Sequence, residues 1–312
     1  MPTDAEVAAA ARRPVAGAFR PSLARAAMWM SGWLALMVTI AVAGREAARH
    51  VPVLEMMELR SVLGFFMLLP LVWRAGGFAA MRSARPGAHL GRNVVHYGAQ
   101  FGWFYAVTLI PIGQVVAIEF TMPIWTALLA AWFLHERMNA AKVAAIVLGL
   151  AGVWMIVRPE PGSAQAFGQA ISLVAAVGFA VALITVKSLT GTDSVVRIIF
   201  WQCVLQTGIG LVPAILVWKT PSAAGWPWIV LVAFCGTFSH YCMARAMRHA
   251  DATIVVPIDF LRVPLTAIAG WLVYAEGIDA WSVAGALLIL AGNVLNVRGG
   301  RRIAPALSAA SR

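Results

Sequence analysis

The sequence predicts an all-α membrane protein of ten transmembrane helices, arranged as two inverted five-helix repeats. Three observations carry that prediction. Of 312 residues, 61% are apolar and only 12% are charged, against roughly 45–50% and roughly 25% in soluble domains. Apolar runs of about 20 residues, the length that crosses a hydrocarbon slab of about 30 Å, follow one another along nearly the whole chain. A shift of 140 residues lays Val115 to Arg158 over Val255 to Arg298 without a gap, giving 16 identities in 44 positions.

Hydropathy and the Gly, Pro and Arg punctuation place helices at about 26–44, 53–73, 92–110, 112–134, 140–157, 168–188, 195–218, 227–248, 252–274 and 279–297. The first run follows Arg12, Arg13, Arg20 and Arg25 and contains Ala41-Val42-Ala43, which resembles a signal-peptidase site. It is read as a retained span, because the repeat needs it to make five helices per half. With the N-terminus inside, 18 of the 24 Lys and Arg residues fall at cytoplasmic ends, Arg92 among them. The positive-inside rule therefore places both termini in the cytoplasm. The chain divides into a cytoplasmic tail (1–25), a first repeat (26–158), a linker (159–167), a second repeat (168–298) and a second tail (299–312).

The repeat matches at polar and special positions: Phe120 with Phe260, Thr126 with Thr266, Glu136 with Glu276, Gly152 with Gly292 and Arg158 with Arg298. Glu119 falls on Asp259, which keeps the carboxylate. Five is an odd number, so the second copy enters the membrane upside down, the arrangement by which two halves rock around one midplane site.

A charge at the bilayer centre costs at least about 2.5–3.5 kcal/mol, so ionisable residues inside the spans are candidates for that site. Asp259 and Arg262 lie three apart on helix nine and share a face, with Thr266 one turn further on. They read either as a site or as an ion pair fastening the helix to a neighbour. Pro257 and Pro264 flank the stripe and interrupt its backbone hydrogen bonding. Glu119 has no basic residue within four positions, so its partner comes from another helix or it holds a proton. Burial disfavours the anion, which makes Glu119 the first candidate for proton coupling and Asp259 the second. On helix three, His96, Gln100 and Trp103 share one face, and the 140-residue offset lays Gln100 on His240 and Phe101 on Tyr241. His96, Gln100, Trp103, His240 and Tyr241, with Phe120 and Phe260 as apolar walls, read as substrate contacts or as packing residues. Glu58 and Arg60, near the start of helix two, are candidates for an outer gate, whereas Arg45 and Glu46 read as interfacial charges. Glu136 and Glu276 read as loop caps or partners of nearby basic groups.

The segments VVAIEFTMPIWTALLAAWFLHERM, LGLAGVWMIVRP, VVPIDFLRVPLTAIAGWLVYAEGI and GALLILAGNVLNVR, with the Glu58-Leu59-Arg60 opening of helix two, resemble the EamA domain pair of the drug/metabolite transporter superfamily. The likeness covers about residues 27–298 and is greatest to the group that includes S-adenosylmethionine and riboflavin carriers. It implies ten helices, cytoplasmic termini, a cavity between the halves and transport of a small organic metabolite. Where that group commonly shows a tyrosine in helix nine, this chain reads Asp259-Phe260-Leu261-Arg262, and no substrate is carried over.

Other classes have less behind them. The net charge of +11 is scattered among apolar runs and forms no face for nucleic acid. Cys203, Cys235 and Cys242 lack metal spacing and read as small buried hydrophobes. His135-Glu136 begins a zinc-protease motif, but Asn139 stands where the second His is needed. No nucleotide loop or nucleophile elbow occurs, so no metal or cofactor is expected and transport would be facilitated, exchanging or ion-coupled. A membrane scaffold or sensor subunit is the alternative that no residue excludes. The expected partners are a small-molecule substrate and the lipid bilayer; the oligomeric state is left open, a monomer included.

Overall fold

A computed structural model describes residues 22–133, 140–156, 163–247, 249–250, 255 and 258–301. Among these residues there is no strand, and eleven α-helices of eight residues or more are delimited. They are α1 Leu23–Ala47, α2 Val53–Arg74, α3 Pro86–Leu109, α4 Ile112–Glu119, α5 Met122–Phe133, α6 Ala140–Ile156, α7 Ala164–Leu189, α8 Val195–Leu216, α9 Trp226–Met247, α10 Arg262–Tyr274 and α11 Ala280–Arg301. With α4 and α5 as two pieces of one span, ten spans result. Six of these, α1, α2, α4 with α5, α7, α8 and α9, are long and apolar enough to cross a bilayer by themselves.

Local sequence explains the boundaries. Ser22, Ser163 and Ser194 are N-caps whose side chains accept from backbone N–H groups three residues on, at 3.4, 3.1 and 3.3 Å. Helix α3 starts earlier than the expected 92, because Pro86 stands at its first position, where the missing N–H costs nothing. The expected helix four is broken after Glu119. Pro123, at the second position of α5, lacks an N–H, and Thr121 turns its hydroxyl to Ile118 O at 2.7 Å. Helix nine is interrupted likewise, with a turn at Phe260–Leu261 before α10. Most of both tails (1–21 and 302–312), the region around His135, Glu136 and Asn139, the start of the linker (159–162), and Pro257 lie outside the described residues.

Packing follows one scheme. Helix α1 lies on α9, α3 on α7, α2 on α8, α6 on α11 and α4 on α10. Helix α1 runs unbroken through Ala41, Val42 and Ala43, with Ala41 and Ala43 fully buried. The α6–α11 pair is a backbone contact: a Cβ on Gly152 would stand 2.5 Å from Gly285 O, and one on Gly285 2.5 Å from Gly152 O. Such close approach of small residues is how helices associate where lipid supplies no hydrophobic drive.

The distribution of side chains is inverted relative to a soluble protein. Trp154, Leu216 and Leu272 face outward, 78%, 79% and 68% exposed, while Arg60, Arg92, His96, Gln100, Gln206 and Arg262 are buried. This is a multi-pass membrane protein whose outer surface suits acyl chains and whose interior holds the polar groups. Its two ends are tied by separate contacts. At one, Ser22 N–H donates to His249 O at 3.1 Å and the Ser83 hydroxyl to Asp193 at 3.2 Å. At the other, Arg45 meets Glu276, and the Ser222 hydroxyl lies 3.2 Å from His50 Nδ1.

Candidate functional site

Two polar clusters occupy the interior. The first is built on Arg60, seven residues into α2 and therefore about 10 Å along it, at 1.5 Å per residue. That depth is about one third of the way along a 22-residue helix. The Arg60 Nη2 group donates to Gln100 Oε1 on α3 at 3.0 Å and to Gln206 Oε1 on α8 at 2.8 Å. The amide of Gln206 lies 3.0 Å from His96 Nδ1. One turn back on α8, Gln202 accepts from Arg92 Nη1 at 3.0 Å, and Asn93 Oδ1 accepts from the same group at 3.2 Å. Gly236 of α9 makes room for this arrangement, since a Cβ there would lie 2.9 Å from Arg60 Nη1. Beside the arginine is a cavity of about 10 Å³, roughly the space of one water, bounded by Arg60, Ser61, Gln202, Gln206 and Thr237.

The second cluster joins the interrupted spans. Arg262 Nη2 donates to Glu119 Oε1 at 2.9 Å, and its Nε stands 3.6 Å from Asp259 Oδ1. Each carboxylate has an indole as well: Trp103 donates to Glu119 Oε2 at 2.8 Å, and Trp33 to Asp259 Oδ1 at 2.5 Å. The guanidinium lies 4.7 Å from the centre of the Phe120 ring, which meets Phe260 edge-on at 5.7 Å. The break between α4 and α5 frees Phe120 O, and Asn293 of α11 donates to it at 2.8 Å. His240 touches this cluster through Trp33, ring centres 5.9 Å apart.

The residues singled out from the sequence thus fall into several places. Gln100 and His96 stand with Arg60; Trp103, Glu119, Phe120, Asp259, Phe260 and Arg262 stand together. Thr266 is buried, but its hydroxyl donates to Arg262 O and Val263 O of its own helix, at 2.7 and 3.0 Å. Tyr241 packs edge-on against Trp29 of α1, 5.9 Å between ring centres. Glu58 and Arg60 form no ion pair with each other. Both reach between α3 and α8 about one turn apart, Arg60 to Gln100 and Gln206 and Glu58 to Tyr97 and Gly210. Arg92, assigned above to a cytoplasmic helix end, is instead buried, because α3 begins at Pro86 and carries it about 9 Å into the bundle.

Gln202, Gln206, Trp33 and Asn293 belong to these clusters without having been singled out. The signal for the glutamines is plain in retrospect: two amides four apart in an otherwise apolar helix share one face. Asn293 and Trp33 carry no such pattern, since each acts through a partner far away in sequence.

Outside the two clusters, Glu276 follows α10 and turns back. It pairs with Arg45 of α1 and accepts from the N–H of Ile112, the first residue of α4, at 3.1 Å. It therefore caps a helix and holds a cation at once. Glu46 pairs with Arg49 at 3.3 Å. The three cysteines are unpaired thiols, Cys203 and Cys235 buried and Cys242 partly so.

A helical bundle with lipid-compatible walls and two buried polar clusters, one of them where spans are interrupted, is the build of a membrane transporter, and similarity to other proteins points the same way. The profile of the EamA-like transporter family matches the chain twice, over residues 24–158 and 166–298. The chain belongs to the EamA-like transporter family. It is 25% identical over 238 residues to an S-adenosylmethionine uptake transporter of Rickettsia prowazekii, covering 76% of this chain and 80% of the relative. A riboflavin transporter of Rhizobium johnstonii is 30% identical over 235 residues, covering 75% and 77%. A pseudopaline exporter of Pseudomonas aeruginosa is 27% identical over 250 residues, covering 79% and 86%. A solved crystal structure at 18% identity shares the fold with a TM-score of 0.63, over 90% of this chain and 99% of its own.

Proposed function

We propose that the chain is a secondary transporter that carries a small organic metabolite across the cytoplasmic membrane by alternating access between two inverted five-helix halves. The observation behind this reading is a symmetry of packing. If α1, α2, α3 and α6 are exchanged for α7, α8, α9 and α11, the contact of α1 with α9 becomes that of α7 with α3. The contacts of α2 with α8 and of α6 with α11 map onto themselves. A pattern closed under that exchange is what a duplicated, inverted chain produces, and it leaves a seam along which the halves tilt. Arg60 reaches across the seam to Gln206, and Arg262 reaches across it to Glu119.

The polar arrangement favours coupling to an ion or to an exchanged substrate. Arg262 brings one positive charge to Glu119 and Asp259, so with both ionised the cluster is left with one negative charge that a proton cancels. Both termini lie in the cytoplasm in this reading, with the Arg45–Glu276 pair at the outer end.

Reconstitution tests the proposal. Purified protein in vesicles is expected to give saturable counterflow of a metabolite, and a cysteine placed at the seam is expected to react from either side according to substrate load. Vesicles that move nothing beyond protein-free leakage, or a seam cysteine labelled from one side only under every condition, would count against it. The same vesicles discriminate the scaffold alternative, which gives no saturable flux.

A further inference from the structure

We propose that Arg60 and Arg92 form the binding site for an oxyanion on the transported compound, a carboxylate or phosphate carried by an organic body. The inference deepens the transport reading above and rests on it.

Three buried guanidinium groups line the interior, and they are not equivalent. Arg262 has two carboxylates. Arg60 and Arg92, 5% and 6% exposed, have none: among the described residues their side-chain hydrogen bonds run only to Gln100, Gln206, Gln202 and Asn93. Amides accept from a guanidinium but do not neutralise it, and a buried cation without a counter-charge is costly to keep. Glu58 makes no ion pair with Arg60: its carboxyl lies against Tyr97 of α3 and Gly210 of α8, one turn along α8 from Gln206. The Nε of Arg60 and the Nε of Arg92, like that of Arg262, have no hydrogen-bond partner. The guanidinium edge that includes Nε is one of those that grip a carboxylate or phosphate in parallel hydrogen bonds.

The two arginines are placed to act on one ligand. Their partners Gln206 and Gln202 are four residues apart on α8, on one face and one turn from each other. Both glutamines also border the cavity next to Arg60, together with the Thr237 side chain, which supplies a hydroxyl donor, and Ser61, whose hydroxyl donates to Met57 O and keeps its lone pairs. The site has two fixed positive charges, amide and hydroxyl groups around them and, among the described residues, no carboxylate paired with either arginine. The missing counter-charge arrives with the cargo, and the cavity widens as the seam opens.

The test uses full-length protein in nanodiscs incubated with a bacterial small-molecule extract, followed by mass spectrometry of what is retained over empty discs. The retained compounds are expected to carry a carboxylate or phosphate, and their methyl-ester or dephosphorylated forms to compete at least about tenfold more weakly. Arg60→Gln and Arg92→Gln are each expected to lower retention about tenfold or more, the loss for one charge-assisted contact. Because each removes an uncompensated cation, their unliganded Tm is expected to equal or exceed that of the parent, which a merely structural role for either arginine would not give. Should either variant fail to fold, the comparison of acids with their esters on the parent protein decides alone. Retention of uncharged or purely cationic compounds, equal retention by the variants, or no retention at all overturns the proposal. Vesicle assays separate it from the transport reading: flux of a compound lacking an oxyanion sinks this site and spares transport, whereas tight binding of an acid that is never moved does the reverse.

Discussion

The carboxylate of Glu276 meets Arg45 at one end of the bundle while also accepting the N–H of Ile112. One side chain thereby ties the loop after α10 to α1 and to the start of α4. Both side chains are largely shielded, 11% and 19% exposed, so the pair is less screened than a surface salt bridge. The ring of Tyr274 lies 4.6 Å from the Arg45 guanidinium and adds a cation–π contact. Glu276→Gln keeps the cap but removes the charge and is expected to cost about 1–3 kcal/mol, the range for a charged partner lost. A double-mutant cycle with Arg45→Gln, read by thermal unfolding, is the measurement. Additive losses would mean that the two groups do not support each other.

Ala275 precedes this carboxylate with φ +53°, in the left-handed region that favours glycine. The residue ends α10 and turns the chain so that Glu276 N–H can bond to Gly270 O at 3.3 Å. An alanine there carries about 1–2 kcal/mol of steric strain that glycine lacks. Ala275→Gly is expected to raise Tm, less the entropy that glycine gains when unfolded. A lowered Tm would show that the turn is not strained.

The number of spans and most of their ends were legible in the sequence, because bilayer thickness fixes helix length and the serines and prolines at the ends act locally. Arg92 was misplaced for the same reason in reverse: the positive-inside rule counts charges by distance along the chain, and Pro86 moved the helix start by six residues. The pairing of Asp259 with Arg262 was readable from their spacing. That of Glu119 with the same arginine was not, since the contact spans 143 residues and depends on how α4 lies against α10. Arg60 looked like a gate because only its distance from the helix start is visible in sequence, whereas its partners come from α3 and α8.

The α6–α11 seam gives a prediction about packing. A methyl on Gly152 or Gly285 would press on the opposite carbonyl oxygen, and neither helix backbone has room to yield without losing the other contact. Gly152→Ala and Gly285→Ala are each expected to cost about 1–3 kcal/mol by overpacking, and the pair together less than the sum, since the first already separates the helices. Gly91→Ala serves as the comparison, because nothing lies within 4 Å of its Cβ position. Equal Tm for all three single variants would refute the close contact.

Asp193, in the connection between α7 and α8, gives a pH dependence. Burial alone would raise its pKa, but hydrogen bonds from Arg197, Thr192 and Ser83 and the nearby His89 outweigh it and hold the carboxyl below its ordinary value of 3.8. A depressed carboxyl pKa contributes stability above the unfolded value and loses it as pH falls through the folded one. Asp193→Asn is therefore expected to lower Tm at pH 7, with the two curves converging below about pH 4, where the parent's carboxyl is protonated in the unfolded chain. A gap that stays constant down to pH 3 would mean that charge is not what the aspartate provides.

Arg262, held between Glu119 and Asp259, sets the last prediction. In the proposed cycle a proton neutralises one carboxylate, so one amide substitution mimics the loaded state. Glu119→Gln leaves Arg262 with Asp259 at 3.6 Å, and Asp259→Asn leaves it with Glu119 at 2.9 Å. In either variant the charges balance, so both are expected to fold and to bind substrate. Net flux driven by a pH gradient is expected to fall at least about tenfold, because the coupling step has lost its titrating group, while exchange of substrate for substrate survives. Replacing both carboxylates strands the guanidinium, which is expected to cost about 3–5 kcal/mol and deplete folded protein. Parental pH-driven flux in both single variants would remove Glu119 and Asp259 from the coupling mechanism, leaving them as an ion pair that fastens α4 to α10.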